Sequence, residues 1–190
     1  MDLLSGIFTA FGLSASTGLN AYLPLLVISL LGRFTDLINL NQPWDTLESW
    51  WVIGALAVLS GIEFFADKVP GVNHINDAIQ SFVRPAAGAI AFAASAKVIT
   101  DVNPVLALIL GLLVSGSVNA VKSVAVRPMV TATTGGAGNV PVSITEDVIS
   151  TVVSILAIVL PLVMILFVLL LVLFTIYLLL RRRPRPRPRY

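Results

Sequence analysis

Five long apolar runs constrain the fold of this chain more than any other feature. They cover residues 3–31, 50–65, 78–99, 105–121 and 147–180. The whole chain is 57% hydrophobic and 12% charged, whereas about a quarter of the residues in a soluble domain are charged. Because peptide groups in a bilayer must be hydrogen-bonded within the protein, these runs predict an all-α, polytopic membrane protein.

The first and last runs do not fit one straight crossing. The first is interrupted over residues 14–20, where Gly18 favours a half-helix followed by a longer helix. The last would extend about 51 Å as one helix, against a hydrocarbon core of about 30 Å. Pro161 divides it into a helix over 147–160, for which a re-entrant path is left open, and a full span over 162–180. We therefore predict five or six transmembrane segments with broken or re-entrant half-helices.

Basic residues give the expected orientation. Six arginines lie in the tail over residues 181–190, and alternating prolines there favour an extended, cytoplasmic segment. Residues 1–180 form a single transmembrane helical domain. Charge favours six crossings with the N-terminus inside, whereas the shortness of 147–160 favours five. The connecting segment 69–77 is predicted as a loop, and the fourth span is expected to end near residue 121.

Two pairs of short motifs indicate a possible inverted repeat. Residues 14–24 and 131–141 share hydroxyl residues, Thr-Gly, Asn and Pro in the same order. Asn76 lies eight residues before Arg84, Asn119 lies eight before Arg127, and proline follows each arginine. Along the chain the Thr-Gly motif comes first and last, and the two Asn-Arg-Pro motifs lie between its copies. This order suits an inverted arrangement, although matches this short also arise by chance.

Broken helices at corresponding positions indicate a central binding site in transporters. The substrate-binding candidates are Asn20, Thr17, Gly18, Thr134, Gly135, Gly136, Asn139, Arg84 and Arg127. Glycine-rich backbone can receive an anion through its amides, and arginine can hold an anionic headgroup. The alternative is that the glycine-rich segment is an ordinary capped loop and that both asparagines are helix caps.

Glu63 and Asp67 are four residues apart, hence on one face of a helix end, and are candidates for ion coupling. The other interpretation is that charged residues of this kind lie at the membrane boundary and face water. We favour that interpretation for Asp67, Lys68 and Lys122 and leave it open for Glu63, Arg84 and Arg127.

The sequence gives little support for a hydrolytic triad or for a metal site with histidine or cysteine ligands. The chain has one histidine and no cysteine. We predict no catalytic residue, no metal and no cofactor. The expected partners are the lipid bilayer and an anionic lipid, with no nucleic acid. A homo-oligomer is left open.

Several stretches resemble a family of small bacterial membrane proteins, domain of unknown function 4126. They are residues 12–24, 66–77, 84–88 and 134–136, and the Ala-Asp-Lys-Val-Pro-Gly sequence from Ala66 is the most specific. The resemblance covers about residues 5–160. It implies a bacterial inner-membrane setting and brings no established activity or catalytic residue.

Three functions follow in order of preference. The first is a small transporter or lipid-translocating protein for an anionic substrate or lipid, with its site at the two broken segments. The second is a structural or assembly membrane protein in which those segments serve packing. The third is a membrane enzyme that uses carboxylate-bound metal.

Overall fold

The computed structural model describes residues 3–40, 42–68, 72–95 and 103–161, together with 163, 166 and 170. Within them all regular structure is helical, which confirms the all-α class. The elements are α1 (Leu3–Thr17), α2 (Tyr22–Phe34), a 3-10 helix (Trp44–Glu48), α3 (Trp50–Ala66), α4 (Val72–Ser95), α5 (Pro104–Val121), a π-helical segment (Lys122–Val126), α6 (Arg127–Thr134) and α7 (Asn139–Val159). The predicted span over 162–180 lies almost wholly outside the described residues, and the tail over 181–190 lies entirely outside them.

The break predicted near Gly18 is confirmed. α1 ends at Thr17, and the Asn20 side chain caps the next helix by accepting hydrogen bonds from the amides of Tyr22 (3.1 Å) and Leu23 (2.9 Å). The expectation of a longer second helix is wrong, because α1 has 15 residues and α2 has 13. The interpretation of Asn20 as a cap is therefore correct, and it frees two amides from needing other partners.

α1 and α2 form a hairpin that enters and leaves the bundle on the same side. α1 runs antiparallel to α7, since Thr9 donates to the carbonyl of Ala157 (2.7 Å) and Asn20 to Asp147 (2.9 Å). α2 then returns, because Arg33 donates to the Glu48 carbonyl just before α3 (2.8 Å). Trp44 packs against the hydrophobic cluster that contains Ala10, Phe92 and Ala107. The turn over residues 18–21 thus points into the protein.

Three helix boundaries differ from the sequence prediction. α4 begins at Val72, so the described part of the predicted loop is helical. α5, the π segment and α6 make one continuous helix, Pro104–Thr134, of 31 residues. α7 begins at Asn139 rather than at 147 and ends, as predicted, just before Pro161. Four polar residues in these stretches have hydrogen-bond partners inside the bundle, namely Asn76, Lys122, Arg127 and Ser143.

Two helices are long and apolar enough to cross a membrane by length and composition, Pro104–Thr134 with mean hydropathy 2.0 and Asn139–Val159 with 1.9. Two shorter apolar helices, Tyr22–Phe34 and Trp50–Ala66, accompany them. The number of crossings stays a prediction.

Glycines permit very close packing at the centre of the bundle. α4 lies antiparallel to α5 and also packs against α1, α2 and α3, which makes it central, as its small residues indicate. A Cβ added at Gly88 would overlap Ser115 and lie 2.8 Å from the Thr17 hydroxyl. A Cβ at Gly111 would lie 2.6 Å from Phe92 Cβ. The helices are so close at these two glycines that any added side chain would clash with the neighbouring helix.

This packing predicts that Gly88→Ala lowers the free energy of unfolding, by about 1–3 kcal/mol, because the methyl group overpacks the α1–α4–α5 contact. The measurement is the melting temperature of the purified protein in detergent. Gly54→Ala is the matched control, since a Cβ there meets no atom within 4 Å. Equal melting temperatures for the two variants would contradict the packing argument.

Candidate functional site

Eight charged residues meet where the α1–α2 turn approaches α3, α4, the π segment, α6 and α7. We call this set the ion-pair cluster. It holds four acidic and four basic side chains in direct contact, Glu63, Asp67, Glu146 and Asp147 with Lys68, Arg84, Lys122 and Arg127. Its formal charge is therefore balanced, as burial of charge requires.

The pair between Arg84 and Glu63 is the most deeply buried part of the cluster. Their side chains are 0% and 1% exposed, and Nη2 of Arg84 lies 3.0 Å from Oε1 of Glu63. Nη1 of Arg84 donates to Oδ1 of the Asn119 side chain (3.1 Å). The backbone carbonyl of Arg84 accepts from the Ser115 hydroxyl (2.8 Å). One arginine therefore ties α3, α4 and α5 together.

Arg127 bridges two carboxylates. Its Nη2 lies 3.2 Å from Oδ2 of Asp67 and 3.2 Å from Oε2 of Glu146. Asp67 also accepts hydrogen bonds from Asn76 (2.7 Å) and Ser143 (3.0 Å). This half of the cluster links the end of α3 to α4, α6 and α7.

The broken α1–α2 turn is bonded to the cluster from two sides. Nζ of Lys122 donates to the Leu19 carbonyl (2.8 Å) and lies 2.9 Å from Oε2 of Glu146. Asn20 donates to Asp147 (2.9 Å), which also faces Lys68 at 3.6 Å. A backbone carbonyl exposed by the helix break is thus satisfied by a buried ammonium group.

The two Asn-Arg-Pro motifs exchange partners. Asn119 of the second motif accepts from Arg84 of the first (3.1 Å). Asn76 of the first motif donates to Asp67 (2.7 Å), which is a carboxylate partner of Arg127 in the second. The two motifs are therefore linked through the cluster, Asn119 directly to Arg84 and Asn76 to Arg127 through Asp67.

The π-helical segment brings Lys122 and Arg127 to the same side. Residues five apart in an α-helix point about 140° away from each other. Here the Arg127 amide bonds to the Lys122 carbonyl, the i to i+5 pattern of a π turn, which restores a common face. Both side chains consequently reach Glu146.

The cluster retains unused hydrogen-bonding groups. Among the described residues, the buried atoms of the cluster without a hydrogen-bond partner are Nε and Nη1 of Arg127, Nε of Arg84, Oε2 of Glu63 and Oδ2 of Asp147. An arginine has five N–H donors, so Arg127 keeps three of them available. The cluster has spare donors beside its carboxylates, which is the requirement for binding an anion.

The structure brings together five predicted site residues, Asn20, Arg84, Arg127, Glu63 and Asp67. The interpretation of Asp67 and Lys122 as boundary residues facing water is wrong, since they are 3% and 2% exposed. The candidate site residues did not include seven residues that belong to the cluster or contact it: Lys68, Lys122, Glu146, Asp147, Asn76, Asn119 and Ser143. The motif spacing was the available signal for the two asparagines, and the opposite charges near the helix ends were the signal for the four charged residues.

The remaining predicted residues have local contacts. Thr17 is buried and donates to Ser14 and Ser115, and Gly18 packs against Ser115 and Val118. The other four lie at the α6–α7 turn, where Gly135 (φ 61°) and Gly136 (φ 92°) are left-handed, the exposed Thr134 accepts from the Gly138 amide, and Asn139 pairs with Thr131. Among the described residues, no side-chain hydrogen bond or ion pair joins this turn to the ion-pair cluster.

A groove opens beside the cluster, between α5 with the π segment and α7. It has a volume of about 530 Å³. It is lined by Leu19, Ser117, Val118, Val121, Lys122, Val126, Val142, Thr145, Glu146 and Ile149. Its walls are mainly apolar, and the Lys122–Glu146 pair is its charged part.

These features define a helical bundle with a broken hairpin and a buried, charge-balanced ionic centre, in a chain with two helices suited to a membrane. The chain belongs to the family described as "Domain of unknown function (DUF4126)", whose model matches residues 7–181. This confirms the family resemblance of the sequence. Comparisons with curated proteins and with solved structures gave no match.

The Arg84–Glu63 geometry predicts that the two residues depend strongly on each other in their contribution to the free energy of unfolding. Arg84→Gln or Glu63→Gln alone should lower the free energy of unfolding by about 3–5 kcal/mol, because each leaves a buried charge without its partner. The double variant should lose less than the sum of the two single losses. The measurement is a double-mutant cycle on unfolding in detergent, with the more exposed Arg33→Gln as control. Additive losses would contradict a direct buried pair.

Proposed function

We propose that this chain is a multi-pass bacterial inner-membrane protein that transports an anionic substrate or translocates an anionic lipid. The ion-pair cluster beside the α1–α2 break serves as its central site. The observation that carries the proposal is that four acidic and four basic side chains lie together where a broken helix turns inside the bundle. Ionisable residues within membrane helices usually mark substrate or ion pathways.

The outer surface supports membrane insertion. Large apolar side chains on α3 are exposed, among them Trp51 (90%), Val58 (64%) and Phe65 (70%). The same holds for Leu113 on α5 and Val148 on α7. A soluble monomer rarely exposes an apolar surface this extensive, whereas lipid covers it without cost.

Spare donors support an anion as the substrate. An anion that reaches Arg127 competes with Asp67 and Glu146 for the guanidinium group, and the carboxylates released by it are the groups available for protonation. Asp67 is therefore suited to the ion-coupling role predicted for it. The same role for Glu63, which pairs with Arg84, stays a prediction. Asn20, Thr17 and Gly18 shape the break next to this site. Ligand contact by Thr134, Gly135, Gly136 and Asn139 stays a prediction.

The α1–α2 hairpin supports five crossings with one re-entrant hairpin. Its helices are about 22 Å and 20 Å long, too short for a core of about 30 Å. α3, α4, the long helix Pro104–Thr134, α7 and the run over 162–180 then cross once each. With the arginine tail inside, Lys68, Lys122 and Arg127 lie towards the cytoplasm, as the distribution of basic residues favours. The start of α1 then lies outside, opposite to the six-crossing arrangement.

This topology predicts opposite sides for two exposed positions, Thr46 and Ala137. Since the chain has no cysteine, Thr46→Cys and Ala137→Cys each introduce a single thiol. A membrane-impermeant maleimide applied to intact spheroplasts should label position 46 and leave 137 unlabelled until the cells are permeabilised. Labelling of both positions, or of 137 alone, would contradict the arrangement.

Transport is tested in proteoliposomes with two probes, fluorescently labelled phosphatidylglycerol and radiolabelled inorganic phosphate. The wild type should accelerate movement of one probe over protein-free vesicles. Arg127→Gln should reduce the rate about tenfold or more, because a charge-assisted hydrogen bond contributes about 1.5–3 kcal/mol. Arg33→Gln is the matched control, as an arginine outside the cluster, and should retain the rate. If the wild type moves neither probe, the proposal fails.

The alternative is a structural or assembly protein without transport activity. It is favoured by the fact that every member of the ion-pair cluster already has an oppositely charged partner. Asn20→Ala and Asn139→Ala separate the two functions. A folded, inserted but inactive variant supports transport, whereas loss of folding supports packing.

A further inference from the structure

The groove between α5 and α7 combines apolar walls with one charged end. Six of its lining residues are aliphatic, namely Leu19, Val118, Val121, Val126, Val142 and Ile149. The charged end is the Lys122–Glu146 pair. A ligand that fits this pattern is amphiphilic, with a hydrocarbon part and a polar head.

The groove opens towards the surface that lipid would cover. Val121 and Ile149 line it and are themselves 62% and 44% exposed. They belong to the two helices whose length and composition suit a membrane. A molecule in the surrounding bilayer therefore reaches the groove sideways, without crossing water.

The charged end favours an anionic head. Lys122 has three N–H donors, of which one bonds to the Leu19 carbonyl and one to Glu146. The third remains for a ligand. Behind Glu146, Arg127 holds three further N–H groups on Nε and Nη1 that have no partner among the described residues. These unpaired N–H groups are suited to the oxygens of a phosphate group.

We propose that the groove binds an anionic membrane phospholipid, with an acyl chain between α5 and α7 and a phosphate oxygen on Lys122. The inference rests on the proposed function and assigns it a lipid as ligand and a lateral route to the ion-pair cluster. The lipid phosphate competes with Glu146 for Lys122, and this exchange connects the groove to Arg127 and to the Leu19 carbonyl at the helix break.

The walls select lipid over free phosphate. A volume of about 530 Å³ is that of a site for a sizeable organic ligand, and most of its lining offers an inorganic ion no hydrogen bond. The aliphatic walls can pack against an acyl chain, whereas a free phosphate ion has no chain to fill them.

The test is native mass spectrometry of the full-length protein from mild detergent, titrated with phosphatidylglycerol or with phosphatidylcholine. The wild type should bind phosphatidylglycerol at one preferred site and phosphatidylcholine about tenfold more weakly. Val142→Phe should fill the groove and abolish the preferred adduct. Val124→Phe is the control, since Val124 is 77% exposed and does not line the groove.

A second variant addresses the headgroup. Lys122→Met removes the ammonium group and should remove the preference for phosphatidylglycerol while Arg127 still pairs with Glu146. If this variant does not fold, Val142→Phe still tests whether the groove binds the lipid, because that substitution leaves every charge in place.

Three outcomes would overturn the inference: equal binding of both lipids, unchanged phosphatidylglycerol binding by Val142→Phe, or displacement of the lipid by inorganic phosphate alone. Failure of the proposed function is distinguishable from this failure. Specific lipid binding without movement of either probe in vesicles rejects transport and keeps the site. Movement that Val142→Phe does not affect keeps transport and rejects the groove.

Discussion

A charge buried in an apolar bundle must find its counter-charge within the protein, and the rest of this structure follows from that constraint. Arg84 and Arg127 together contact partners from α3, α5 and α7 while belonging to α4 and α6. Hydrophobic burial alone fixes helix positions weakly when the surroundings are also apolar. The directional contacts of the two arginines therefore determine which helix ends meet.

Small and hydroxyl-bearing residues make that arrangement possible by allowing the backbones to approach. Ser14 donates to the Gly111 carbonyl (2.8 Å), and Ser16 and Ser154 share a hydrogen bond (2.8 Å). These contacts join α1 to α5 and α7 at the level just before the helix break. The broken turn is consequently held by neighbours on several sides, which non-helical backbone inside a bundle requires.

The sequence contains enough information for the helical class, the break at Gly18, the end of α7 and the pairing potential of Glu63, Arg84 and Arg127. It does not reveal the starts of α4 and α7, because glycine, proline and asparagine cluster near both starts and are typical of a loop. The role of Lys122 was missed for another reason. A lysine at the end of an apolar run has the same local sequence whether it turns outward to water or inward to a carboxylate. Only its partners in the fold, the Leu19 carbonyl and Glu146, decide between the two.

The π segment adds one residue to a turn of the long helix Pro104–Thr134. This extra residue sets the direction in which the side chains after it point. Lys122 and Arg127 share a face because five residues separate their hydrogen-bonded groups. Conversion of this turn to an α-helix would keep every side chain yet rotate all residues after it, including Arg127 and α6, relative to α5. The contact of Arg127 with Asp67 and Glu146 therefore depends on the backbone hydrogen bonds of this π turn as much as on the charges themselves.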